Sequence, residues 1–274
     1  MPRPASLTRP GFPARPATWA LVAAAVLVQI VYPLIPEGTR TPVTVLSVLV
    51  FAAASLADVV RRHGLRGGGV LLLVAGGGGL LAEAVGVHTG FPFGSYTYTA
   101  TLGPQLLGVP LVVPLAWVMM AWPALVVGRT LGRRPVAVAA LGGGALASWD
   151  VFLDPQMVDA GHWRWAVPDP GLPLVPGVPL TNYAGWILVS VAIVALLDRN
   201  LEPMTGPSGP AAALYLWTYG SSVAAHLAFF DLPGSAVLGG LLMGLFALPF
   251  GARLWRSRPA ARPRLPHRSA TGLP

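Results

Sequence analysis

Four ionisable side chains stand where an apolar sequence has no structural need of them: Glu83, Asp150, Asp154 and His226. Each lies in or at the end of a long hydrophobic run. An ionisable group inside such a run is costly and, as a rule, functional. Asp150 and Asp154 are four apart, which puts both on one face of a helix. Carboxyl groups in apolar surroundings, and one of any close pair, tend to keep a proton near neutral pH and can deliver it as an acid. A second carboxylate or a histidine can orient and deprotonate water. Aromatic faces tolerate a positive charge that forms between these steps, and Tyr96, Tyr98, Trp149, Trp163, Trp165 and Trp186 are at hand. His88, Asn182, Tyr183 and Asp231 fall near the same ends of the same runs.

The elements that must hold these groups are membrane helices. The chain has 274 residues, 54% hydrophobic and 10% charged, against about 25% charged in a soluble domain. Runs of about 20 apolar residues recur along it, which predicts an all-α polytopic transmembrane bundle. Eight spans are expected, at roughly 17–35, 42–60, 67–87, 108–128, 135–154, 183–200, 210–231 and 234–255. The net charge of +8 comes from 18 basic residues, all arginine. They do not form the clustered face that nucleic acid binding requires. With both termini cytoplasmic, sixteen arginines fall inside and Arg40 and Arg164 outside, in accord with the positive-inside rule. That predicts a multi-pass plasma membrane protein in three parts: an Arg-rich cytoplasmic segment 1–16, a membrane domain 17–255 and a disordered Arg/Pro-rich cytoplasmic tail 256–274. The chain has no cysteine, so thiol catalysis, disulfides and Cys-held metals are excluded.

This topology puts Glu83, Asp150, Asp154, Asn182, Tyr183, His226 and Asp231 at one depth, toward the outer leaflet. The stretch from Glu83 to Pro110 leaves span three through a carboxylate and His88. It then runs without charge through Phe91, Phe93, Tyr96 and Tyr98, as expected of a lid. Asp58, beside Arg61 and Arg62, reads as a helix-end ion pair. Gln29, Ser55 and the glycines at 76–79, 142–144, 240 and 244 read as helix-packing residues. Trp163 and Trp165 fit an interfacial aromatic belt as well as a site, and Asp154-Pro155 fits a helix stop as well as an acid.

The segments EAVGVHTGFPFGSYTYT, SWDVFLDPQM, HWRW and VPLTNYAGW resemble, in order, blocks of the carotenoid-biosynthesis membrane family that includes bisanhydrobacterioruberin hydratase and the bacterial carotenoid 1,2-hydratases. The likeness covers roughly residues 70–230. It implies addition of water to the C1=C2 double bond of an acyclic carotenoid end group, giving a tertiary alcohol without a redox cofactor; no cofactor or metal is expected. On that chemistry, Asp150 or Glu83 is the proton donor and Asp154 or His226 positions the water. The 91–99 loop with Trp149, Trp163, Trp165 and Trp186, and with His88, Asn182 and Tyr183 nearby, forms the end-group pocket. The expected partners are a hydrophobic carotenoid, water, the lipid bilayer and other membrane enzymes of carotenoid synthesis.

Three other readings compete. A membrane prenyltransferase would use Asp150 and Asp154, but needs a second aspartate-rich motif and basic partners on the cytoplasmic side. A metal held by Glu83, His88, Asp154 and His226 is a second possibility. A carotenoid-binding or transport protein without enzyme activity is the third. A transporter would place its polar site near the midplane, open from both sides.

Overall fold

A computed structural model describes residues 15–257. The expectations for the N-terminal segment and the C-terminal tail fall almost wholly outside these residues. Eight α-helices run through the described chain. They are α1 (Arg15–Val31), α2 (Thr41–Leu71), α3 (Gly78–Thr89), α4 (Val112–Leu131), α5 (Pro135–Asp159), α6 (Leu180–Asn200), α7 (Gly209–Ala228) and α8 (Pro233–Arg256). Prolines open α2, α5, α7 and α8, where the missing N–H has no intrahelical partner to lose. Helices are the element such apolar runs must form, because lipid offers no partner for backbone N–H and C=O groups.

Among the described residues, six helical runs are long and apolar enough to cross a membrane. The longest, Thr41–Thr89, holds 49 residues and contains both the second and the third expected span. Gly64, at φ 71° and ψ −176°, breaks it; such a backbone is open to glycine and strained for other residues. A π-helical turn, Leu72–Gly77, joins α2 to α3. α7, an expected span, is not among the six; its Thr218, Ser221, Ser222 and His226 lower its hydropathy. The fourth span begins at Val112 rather than 108, because Val109 and Pro110 are drawn into a hairpin. α5 does not stop at Asp154-Pro155 but runs on to Asp159.

α4 and α5 form the middle of the bundle: 72% and 67% of their apolar stretches are buried. Close approach explains two of the glycine clusters. A Cβ on Gly79 would come within 2.5 Å of the Trp117 ring, and one on Gly143 within 2.6 Å of Val191. Ser55 donates to the Met119 carbonyl at 2.7 Å, tying α2 to α4.

The all-α expectation omits a small β cap at one end of the bundle. The connections after α3 and α5 meet there as β1 (Tyr96–Tyr98) and β4 (Trp163–Trp165), antiparallel, with Tyr96 opposite Trp165 and Tyr98 opposite Trp163. Residues opposite one another share a face of the pair, so four aromatic rings point into the bundle while Thr97 and Arg164 face outward. Two hairpins flank this pair: β2 (Gln105–Leu106) with β3 (Val109–Pro110), and β5 (Gly171–Leu172) with β6 (Val175–Pro179).

Candidate functional site

Glu83 lies in the middle of α3, six residues before its end, and is 5% exposed. Three donors converge on its carboxyl group. Oε2 accepts from the Tyr96 hydroxyl at 2.5 Å and the Tyr98 hydroxyl at 2.8 Å, and Oε1 accepts from Trp117 Nε1 at 3.1 Å. Burial first, and then the charge of Glu83, hold both phenols well above their ordinary pKa. They therefore remain donors. Both oxygens of the Glu83 carboxyl group thus act as acceptors.

Asp150 and Asp154 stand one turn apart on α5, both buried. Asn182, on the first turn of α6, bridges them: Nδ2 donates to Asp150 Oδ2 at 2.8 Å and also to Asp154 Oδ2. Trp163 Nε1 donates to Asp154 Oδ1 at 3.0 Å. Asp150 Oδ1 is buried without a hydrogen-bond partner. The two aspartates thus share one amide between them. The ion pairs at Glu37, Asp58 and Asp198 lie elsewhere.

One cavity of ≈ 180 Å³ touches most of these groups. Glu83, Phe93, Tyr96, Tyr98, Trp149, Asp154, Trp163, Trp165, Asn182, Trp186 and His226 are on its wall. Trp186 stacks on Trp117 at 4.2 Å and meets Trp149 edge-on at 6.1 Å. Trp165 donates to the Phe93 carbonyl at 2.9 Å, which pins the lid to its partner strand. Trp163 and Trp165 are thus buried and hydrogen-bonded at the cavity wall. Asp150, one turn earlier on α5, is not on the wall.

Besides Asp150, three expected residues are not brought to the cavity. His88 turns Nδ1 back to the Ala84 carbonyl at 2.8 Å. Phe91 is 65% exposed at the lid turn. Tyr183, next to Asn182 on α6, buries its hydroxyl without a partner; neighbouring residues on a helix point to different sides. The donor set weighed for a metal does not converge: among the described residues no three His, Asp or Glu side chains group to hold an ion.

The structure also adds residues the sequence did not single out. Trp117 binds Glu83, but a tryptophan within an apolar run carries no local mark of that role. Ser235 binds His226 Nδ1 at 2.6 Å. Gln29, expected to be a packing residue, accepts from Trp217 Nε1 at 2.7 Å and also lines the cavity.

Fold and site together define a multi-pass helical membrane protein with a capped cavity of aromatic and carboxylic side chains. The chain belongs to the carotenoid biosynthesis protein family, whose match spans residues 42–246. It is also similar to a bisanhydrobacterioruberin hydratase of Haloarcula japonica, 39% identical over 125 residues. That similarity covers 44% of this chain and 41% of the relative, so the chain spans well under half of the relative's length. No solved structure matches the chain.

Proposed function

We propose that this protein is a carotenoid hydratase, adding water across the terminal C1=C2 double bond of an acyclic end group to give a tertiary alcohol. The observation that carries the reading is the Asp150–Asn182–Asp154 bridge at the wall of an aromatic cavity; the hydratase relative supplies the reaction class. Asp154 faces the cavity and transfers its proton to C2. The positive charge forms at C1, a tertiary carbon, among the rings of Trp149, Trp163 and Trp186. Water adds at C1 and gives its surplus proton to a base. Asp150, one turn earlier on α5, returns a proton to Asp154. Glu83, with three donors on its two oxygens, is assigned to stabilising the cation electrostatically and not to supplying the proton. Sequence offered Asp150 or Glu83 as the proton donor and Asp154 or His226 for the water; in this reading Asp154 takes the donor's role, Asp150 resupplies it and Glu83 is set aside. No step calls on a cofactor.

The membrane setting suits the reaction, since the carotenoid is in lipid and water is at the interface. Eight spans are obtained if Thr41–Thr89 crosses twice about Gly64 and α7 also crosses. The arginine distribution then supports a cavity toward the outer leaflet of the plasma membrane, with both termini cytoplasmic.

The test is an incubation of membranes containing the protein with an acyclic carotene in 18O-labelled water. The expected product is a monohydroxy or dihydroxy carotenoid with one labelled oxygen per alcohol. Carotenoid bound but recovered unchanged would make the protein a binder and overturn the reading.

A further inference from the structure

The cavity has a second polar wall. His226 lies on it, 1% exposed, between the rings of Phe152 and Phe230, which meet it edge-on at 5.2 and 5.5 Å. Thr218, Ser221 and Ser222 of the same helix also line it. Nδ1 of His226 is bound to Ser235 Oγ at 2.6 Å, while Nε2 is buried without a partner.

Ser235 decides which nitrogen carries the hydrogen. Its single hydroxyl hydrogen goes to the Leu232 carbonyl at 3.0 Å. Toward His226 it can then only accept, so Nδ1 is the N–H and Nε2 carries the bare lone pair. The α7–α8 turn holds this arrangement, because Leu232 N donates to the His226 carbonyl at 3.1 Å and Ala236 N to the Leu232 carbonyl at 3.1 Å. A bare imidazole nitrogen enclosed in a cavity wall needs a small hydrogen donor, and leaving it unmet costs on the order of 1–3 kcal/mol.

We propose that His226 Nε2 is the binding site of the reacting water and that Ser235 is the positioning residue that keeps this nitrogen an acceptor. This rests on the hydratase reading and completes it. Water held at Nε2 donates one hydrogen to the ring, attacks C1 through its lone pair, and passes the surplus proton to Nε2. Acid and water then act from different walls: Asp154 on α5 and His226 on α7.

The experiment has two arms. In the first, 15N-histidine NMR of the full-length protein in bilayers, with His226→Gln used to assign the signal, reads the tautomer without any turnover. The expected wild-type signal is protonated Nδ1 and bare Nε2; in Ser235→Ala this preference is lost, and in Ser235→Thr it is kept. A protonated Nε2 in the wild type would overturn the proposal even if the protein is a hydratase. In the second, Ser235→Ala is expected to lower kcat about tenfold with KM little changed, and Ser235→Thr to restore it. Equal kcat for Ser235→Ala and wild type would overturn the positioning role. A wild-type protein that makes no alcohol would instead refute the hydratase reading, leaving the tautomer result intact.

Discussion

Two buried aspartate clusters sit at opposite ends of this bundle, built from similar parts. At the far end from the lid, Asp58 accepts from Trp122 Nε1 at 2.8 Å and from Ser208, and pairs with Arg61 at 2.8 Å and Arg62 at 3.6 Å. At the lid end, Asp154 also accepts from an indole N–H, that of Trp163. The difference is in the remaining partners. Asp58 has guanidinium groups and a helix-connecting serine, and it is not on the cavity wall. Asp154 has another carboxyl group, joined through Asn182, and it faces the cavity. A buried acid compensated by arginine holds helices together. One left with neutral donors beside a cavity has a proton-bearing group free to act.

Substitution at each end separates these roles. Asp154→Asn keeps the size and the bridge's polar character but removes the acid. It is expected to cut alcohol formation by at least about 100-fold, the usual scale for a general acid, with the protein still inserted at normal levels. Product yield per unit of membrane protein checks it. Asp58→Asn should do the reverse. Removing one partner of a buried pair costs about 3–5 kcal/mol, so the thermal midpoint in detergent should fall sharply while the surviving folded protein keeps nearly its full rate.

The Glu83 site provides a finer cut. Tyr98→Phe deletes one of three donors to that carboxylate. Hydrogen bonds to charged groups contribute about 1.5–3 kcal/mol, so a fall of about tenfold in kcat is expected from steady-state assays. Trp165→Phe leaves a ring in place but removes the donor to the Phe93 carbonyl. A neutral bond is worth about 1 kcal/mol, so the lid should exchange its amide hydrogens several-fold faster while the rate at saturating carotene changes little.

Much of the bundle was legible because its signals are local. Apolar run length gave the helices, and the glycines of α3 and α5 marked close helix approach. The RRHGLR stretch, left between two expected spans, contains Gly64, where the backbone departs from helical geometry. Co-location of Glu83, Asp154, Asn182 and His226 followed from counting arginines and depth. The lid was legible as a lid but not as a sheet. Tyr96–Tyr98 and Trp163–Trp165 are three-residue strands more than sixty residues apart, too short for periodicity to reveal. His88 and Phe91 were misplaced because uncharged aromatic-rich sequence says nothing of which side chains turn inward. Ser235 was invisible for a similar reason, since one serine at a helix start is ordinarily a cap.

The smallest expected effect concerns the lid's outer seam. His162 Nδ1 meets Thr101 Oγ1 at 2.8 Å, and burial holds its pKa below the ordinary 6.5. A histidine buried in its neutral form binds fewer protons folded than unfolded, so lid stability should be full above pH 6.5 and decline as pH falls below it. Limited proteolysis of the 99–105 segment between pH 7 and 5 should quicken modestly, and His162→Gln should flatten that dependence.

The account's central claim is that the aspartate pair delivers a proton to carbon. The direct measurement is hydration of an acyclic carotene in deuterated water, with the product read by mass spectrometry and NMR. One deuterium at C2, adjacent to each new carbinol carbon, is predicted for the wild type, with product falling at least about 100-fold for Asp154→Asn. Alcohol formed without deuterium at C2, or formed at the wild-type rate by Asp154→Asn, would contradict the account.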